Sequence, residues 1–233
     1  MASPPRVPGI REAMRLALVD LYQHSIRLVP VNLAWGLGLI VVLGLTTAGA
    51  MWLAILVAPL LALPLVALAR LAGEIVRGEE VVLSDAWRAI GELGVRAVVV
   101  GALVVGVVLV LGSNVLLGLA EGTAPAMAIA VAAGWGLVAI GLVALPFWLL
   151  LADPSRHGRG LAAPLRECAA LLLVEPSRLI VLAAVVSVVL VVGTLLVAAI
   201  LTVGVAYAVL VTARVVLPAA DRLAGSPGLA PTD

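Results

Sequence analysis

The chain has 233 residues, 64% of them hydrophobic and 12% charged, with a mean hydropathy of +1.27 and a net charge of +1. A soluble domain carries about a quarter charged residues, so this composition excludes a single water-exposed core and leaves lipid as the solvent. The near-neutral balance excludes a basic face for phosphates, and with it nucleic acid as a partner. All 14 cationic side chains are arginine, and the single cysteine, Cys168, allows neither an intramolecular disulfide nor a cysteine metal cluster.

Segment 1–27 reads as a cytoplasmic amphipathic lead. Ile10, Met14, Ala17, Leu18 and Leu21 form an apolar stripe opposite Arg11, Glu12, Arg15 and His24, with the 3.6-residue period of a helix. Ala48-Gly49-Ala50 imitates a signal-peptide cleavage site, but the polar lead is too long and another apolar run follows at once. Residues 28–217 read as the transmembrane domain. The charge-free stretch 28–69 would extend, as one helix, roughly twice the ~30 Å hydrocarbon layer. It must fold back at 46–50, giving spans over 30–46 and 51–70, with Pro59 and Pro64 kinking or breaking the second.

The cytoplasmic loop 71–96 follows. Arg70, Glu74 and Arg77 continue the helix at i, i+4 and i+7, and Gly78 supplies a left-handed stop. The spacing then predicts an in-plane helix over 84–95 with Ser84 as N-cap. Asp85, Arg88, Glu92 and Arg96 form its polar stripe, and Trp87, Ile90 and Leu93 its membrane-facing one. Gly91 and Gly94 weaken it by about 1 kcal/mol each. Spans three and four cover 97–119 and 126–151, the latter with Ala128, Ala132 and Gly136 as a small-residue stripe for close helix approach. Loop 152–178 holds a short helix begun by Pro164 and ended at Glu175-Pro176. The charge-free stretch 179–213 is too long for one span and tight for two; a turn within 194–203 yields spans five and six. Residues 218–233 read as a disordered cytoplasmic tail.

With six spans, every arginine from Arg6 to Arg222 falls on one side, and the other side carries only short turns and Glu121. The positive-inside rule makes the arginine side cytoplasmic, with both termini there, in a bacterial inner membrane whose anionic lipid faces those arginines. The expected fold is all-α: an integral membrane bundle of six helices as three hairpins, each preceded by an in-plane cytoplasmic amphipathic helix. Arg27, Arg96 and Arg178 stand at equivalent points of this threefold repeat.

Candidate chemistry is sparse. His24 and His157 lie in cytoplasmic segments without metal-ligand spacing, and Cys168 has no partner motif. No catalytic, cofactor or metal residues are expected, and the chain is not expected to be an enzyme. The span interiors lack the ionisable groups of coupled transporters. Their polar residues include Asn32, Ser113, Asn114, Thr194, Thr202, Tyr207 and Thr212, of which Asn32 and Asn114 are the candidate intramembrane contacts, since an amide in lipid must find a partner. The candidate interaction surface is the charged run Arg77, Gly78, Glu79, Glu80, Asp85, Trp87 and Arg88, set against the plainer reading of a solvated, salt-bridged helix end.

Residues 60–90, LLALPLVALARLAGEIVRGEEVVLSDAWRAI, resemble the signature stretch of the YesL-like family of bacterial multipass membrane proteins, which is defined by a domain of unknown function. The matching positions are Pro64, Ala67, Leu68, Val76, Arg77, Gly78, Glu79, Glu80, Asp85 and Trp87, and Asn32-Leu33-Ala34-Trp35 is similar to that family's opening. The chain departs from it by an insertion between Trp35 and Pro64 that makes a full second span. The resemblance implies association with carbohydrate-uptake or sensor systems, hence a transport or sensor partner, and implies no activity. A small-solute facilitator or channel through the bundle is the alternative function.

Overall fold

The computed structural model describes residues 7–156, 160–196 and 200–225; Arg6, His157, Arg159 and the end of the expected tail lie outside them. The described residues form nine α-helices: α1 (Ile10–Gln23), α2 (Ser25–Thr47), α3 (Met51–Val57), α4 (Ala62–Arg77), α5 (Leu83–Glu121), α6 (Ala124–Ala152), α7 (Ala162–Val174), α8 (Pro176–Leu195) and α9 (Val205–Ala224). Six helical stretches are long and apolar enough to cross a membrane: α2, α3 with α4, α5, α6, α8 and α9. The chain is therefore an all-α multipass membrane protein, with no strand among the described residues.

The fold-back after α2 falls where expected, at Gly49 with φ +78°. Pro59 breaks the second span into α3, a 3₁₀ turn over Ala58–Leu61, and α4. The third span presses against this break: a Cβ on Gly101 would stand 3.0 Å from the Pro59 carbonyl oxygen and from Ala62 Cβ. A side chain there would hold α5 off the broken turn.

The expected in-plane helix at 84–95 is instead the first part of α5, a single helix of 39 residues and roughly 58 Å. Its start is set by Asp85, whose Oδ2 accepts from the Val82 amide at 2.9 Å, and not by Ser84. Trp87 does not face inward. It is 70% exposed, while Ala86, Ala89, Leu93 and Ala97 take the buried face. No proline separates this segment from the span. Gly94 also admits close packing, since a Cβ there would lie 3.3 Å from Leu63 Cδ2 of α4. Tertiary packing thus overrides the weak helix propensity of Gly91 and Gly94.

Two other apolar stripes are rotated from expectation. On α6, Ala126, Ala130 and Ala133 are buried while Ala128 and Ala132 are exposed. The close approach is to Gly118 of α5, where a Cβ would come within 2.7 Å of Ala130 Cβ. On α1 the buried face is Ala13, Ala17, Asp20 and Leu21, and Leu18 is exposed. Small alanines let a helix approach more closely than leucine does, so they take the contact.

Glu175 ends α7 and Pro176 opens α8, as expected. α8 stops at Leu195 and the chain resumes in a π turn over Ile200–Gly204, so the break lies within 194–203; the Thr194 side chain is outside the described residues. α9 continues through Pro218 to Ala224, which shortens the expected tail.

α9 is the centre of the bundle, packing on α1, α4, α6 and α8. The most apolar stretch of this last span is 78% buried, against 11% for α6. The dense core gathers at the arginine-rich end, in Val66–Ile75, Phe147–Ala152 and most of α9. The opposite halves of α5 and α6 pack mainly on each other and turn Leu103, Leu117, Ile129 and Val138 outward.

Asn32, fully buried on α2, closes the break in the last span. Its Nδ2 donates to the Leu201 carbonyl at 2.8 Å, and its Oδ1 accepts from the Ala206 amide at 2.7 Å. One turn further along, a Cβ on Gly36 would meet Leu201 Cα at 3.0 Å. The amide therefore replaces backbone partners that the broken helix lacks. Asn32→Leu is expected to destabilise the protein by about 1–3 kcal/mol, by orphaning both backbone groups. A lowered melting temperature in detergent checks this, and an unchanged one would mean that the break finds other partners.

Candidate functional site

The charged run after span two divides into an inward and an outward half. Arg70, Glu74 and Arg77 share one face of α4. Arg70 Nε pairs with Glu74 Oε1 at 2.7 Å, both side chains buried, and Arg70 Nη1 donates to the Ala152 carbonyl at the end of α6. Glu74 Oε2 is sealed without a hydrogen-bond partner, a cost of order 1–3 kcal/mol.

α6 gives way to an extended residue, Asp153, followed by a 3₁₀ turn over Pro154–Arg156. Asp153 is 1% exposed and accepts from five donors. Arg77 reaches both oxygens, at 3.2 and 2.5 Å; Arg156 Nε donates at 3.0 Å; the Ser155 amide and hydroxyl donate at 3.1 and 2.9 Å. The two arginines also hold Asp221 of α9, Arg156 at 2.6 Å and Arg77 at 3.4 Å, and Arg156 pairs with Glu167 of α7. This clasp joins α4, α6, α7 and α9. Burial alone would push the Asp153 carboxyl up, but the Arg77 hydrogen bond and charge, with the two Ser155 donors, hold it below its ordinary value.

A second ion pair fastens α1. Arg214 of α9 binds Asp20 bidentately, Nε to Oδ2 and Nη2 to Oδ1 at 2.8 Å each, and the Tyr207 hydroxyl donates to the Met14 carbonyl. Arg178, at the start of α8, donates to the carbonyls of Val7 and Pro8 as well as to Glu175.

The outward half begins at Gly78, whose φ of +73° ends α4. The Glu79 amide closes back onto the Glu74 carbonyl at 3.0 Å, and Val81 buries beneath the turn, as in a Schellman closure. Glu79 and Glu80 are exposed on this fixed turn, beside Trp87 and Arg88 on the first turns of α5. Asp85 is partly used, capping Val82 and pairing with Arg88 at 3.1 Å. Of the seven candidate surface residues, Arg77 is thus turned inward to Asp153, Gly78 shapes the turn, and Glu79, Glu80, Trp87 and Arg88 face out.

Of the two candidate membrane amides, Asn32 bonds the last span as described. Asn114 is half-buried on α5 and has no hydrogen-bond partner among the described residues. Sequence reasoning missed Asp153, Asp221, Glu167, Asp20 and Arg214, which are far apart in the chain and carry no motif. The one available signal was that acidic residues close to span ends must find cations once buried.

Cys168 is buried on α7, and desolvation, with Glu167 nearby, pushes its thiol up to about 12, so it stays protonated and is a poor nucleophile. No group of three or more His, Cys, Asp or Glu placed to hold a metal ion occurs among the described residues. What the clasp does chemically is fix four helix ends in one arrangement. No family model matches the chain, and neither does any curated protein or solved structure.

Asp153→Asn should cost about 1–3 kcal/mol, because Arg77 and Arg156 would lose the charged acceptor buried between them and keep Asp221 and Glu167. The pH dependence follows in sign. A carboxyl depressed in the folded state contributes stability that is complete above the unfolded value and is lost as pH falls through the folded one. Acid unfolding of the wild type should therefore steepen below the ordinary carboxylate range, and Asp153→Asn should flatten that limb. Coincident acid limbs would remove the clasp from any role in stability.

Proposed function

We propose that this multipass membrane protein is a non-enzymatic accessory or regulatory subunit of a transport or sensor assembly in a bacterial cytoplasmic membrane. It docks through the turn at Glu79-Glu80 and the adjoining Trp87-Arg88. One observation carries the reading: the charges of α4 are consumed internally, while two acidic side chains, an exposed tryptophan and an arginine stand outward on a backbone fixed by Gly78 and the clasp behind it. A rigid, charged surface with an aromatic anchor is what a specific partner uses. The resemblance of 60–90 to the YesL-like family supports the same class of role. The gathering of arginines on one side supports placing that surface, and both termini, in the cytoplasm.

The two broken spans favour the second reading, a small-solute facilitator, because interrupted helices in transporters often bind solutes. Here Asn32 and Gly36 occupy the turn at Leu201, and Gly101 of α5 abuts one side of the turn at Pro59, whose other side faces an apolar groove lined by no charged side chain. That ranks it below the accessory role.

Reversing Glu79 and Glu80 to Arg should leave the melting temperature within a few degrees of wild type, since both side chains are exposed. The same change should strip the stoichiometric partner from protein purified out of its native membrane. Retention of every partner, or a wild type that purifies alone, would defeat the docking role. A reporter fused at Asp233 should be active only on the cytoplasmic side, and activity outside would overturn the orientation.

A further inference from the structure

An apolar groove of about 500 Å³ opens on the outside of the bundle between α2, the second span and the first turns of α5. Small residues make it: Ala34 and Gly38 on α2, Ala67 on α4 and Ala86 on α5, with Val31 along its wall and Trp87 at its mouth. A Cβ on Gly38 would lie 2.7 Å from Leu61 Cδ2, so at the far end the glycine lets the Leu61 side chain close against α2. Along α2 the lining runs from Pro30 to Val41, roughly 16 Å of helix rise, about half the hydrocarbon thickness. The groove is therefore one leaflet deep, and it opens at the arginine-rich end.

Charge stands at that opening. Arg27 lies on the same helical stripe as Val31, Ala34, Gly38 and Val41, one turn beyond the lining toward the arginine-rich side. Its guanidinium has no hydrogen-bond or ion-pair partner among the described residues, unlike Arg70, Arg77, Arg156, Arg178 and Arg214. Trp87, largely exposed, lines the groove at that end. The volume falls in the range of specific ligand sites.

We infer that the groove is a binding site for one anionic phospholipid of the leaflet on the arginine-rich side, with an acyl chain along Ala34 and Gly38 and the phosphate on Arg27. The site goes beyond the docking role and does not depend on which assembly the protein serves. Ala34 is small because the chain lies against it, and Arg27 is unpaired because its anion comes from the lipid.

The test uses the full protein in vesicles of phosphatidylcholine with a minor fraction of phosphatidylglycerol, the bromine label carried on the chains of one lipid or the other. Fluorescence lost in the wild type but not in Trp87→Phe reports chains at the groove. Brominated phosphatidylglycerol should quench Trp87 well beyond its share of the bilayer. Arg27→Gln should lower that enrichment about fivefold, the effect of one arginine near the lipid surface. Ala34→Phe, which fills the groove, should abolish the enrichment, whereas Ala128→Phe on the exposed face of α6 should preserve it. If Ala34→Phe fails to fold, the wild type and Arg27→Gln decide alone. Quenching in proportion to bulk composition would overturn the site. A dimeric wild type made monomeric by Ala34→Phe with lipid content unchanged would also overturn it, in favour of a second copy as occupant. Loss of the partner on reversing Glu79 and Glu80 is read separately, so failure of either idea leaves the other standing.

Discussion

Burial of the Asp153 carboxylate is the constraint around which the arginine-rich end is organised. An anion removed from water is tolerable only with cations and donors on every side. Two arginines from different segments and the Ser155 turn supply them, and the same arginines recruit Asp221 and Glu167. Helix ends that share no sequence proximity are thereby pinned together. The packing of Phe147–Ala152, Val66–Ile75 and α9 lies directly against this knot. Among the described residues the opposite end has no such tie, and α5 and α6 there meet chiefly each other.

The two asparagines illustrate how lipid enforces pairing. Asn32 lies against a helix whose own hydrogen-bond ladder is interrupted, and its amide has both a donor and an acceptor to offer the gap. Asn114 lies on a helix with an intact ladder, so its neighbours leave it no backbone group to satisfy. Equal chemistry has unequal consequence because only one of them faces a break.

The spans were legible because charge is excluded from hydrocarbon: the gaps between arginines and acids outline four stretches, the hydrocarbon thickness divides two of them into hairpins, and the turns at Gly49 and Gly78 follow from glycine's access to positive φ. The continuity of α5 was not legible. Its first turns have the period of a separate surface helix, and it is the burial of Ala86, Ala89, Leu93 and Ala97, with Leu63 fitting against Gly94, that holds the segment in line with the span. The rotated stripes of α1 and α6 failed for a related reason. On α1 periodicity weighs leucine above alanine, whereas the close contact selects Ala13 and Ala17; on α6 small residues recur on more than one face, and it is Gly118 of α5 that selects Ala126 and Ala130. The outward residues Glu79, Glu80, Trp87 and Arg88 could be picked from sequence because charge and aromaticity cluster there. The inward role of Arg77 could not, since Asp153 lies far along the chain.

The central position of α9 bears on how the protein is made. A chain is synthesised from its N-terminus, and here α9 emerges after α1, α4, α6 and α8, the helices that converge on it. Until it arrives, Asp20 lacks Arg214, the clasp lacks Asp221, and the Asn32 amide faces no broken helix. The earlier hairpins can insert as apolar units, yet they must wait in the bilayer with polar groups unmatched. A chain cut short before Val205 would leave all three unmatched, so assembly of the bundle waits on α9.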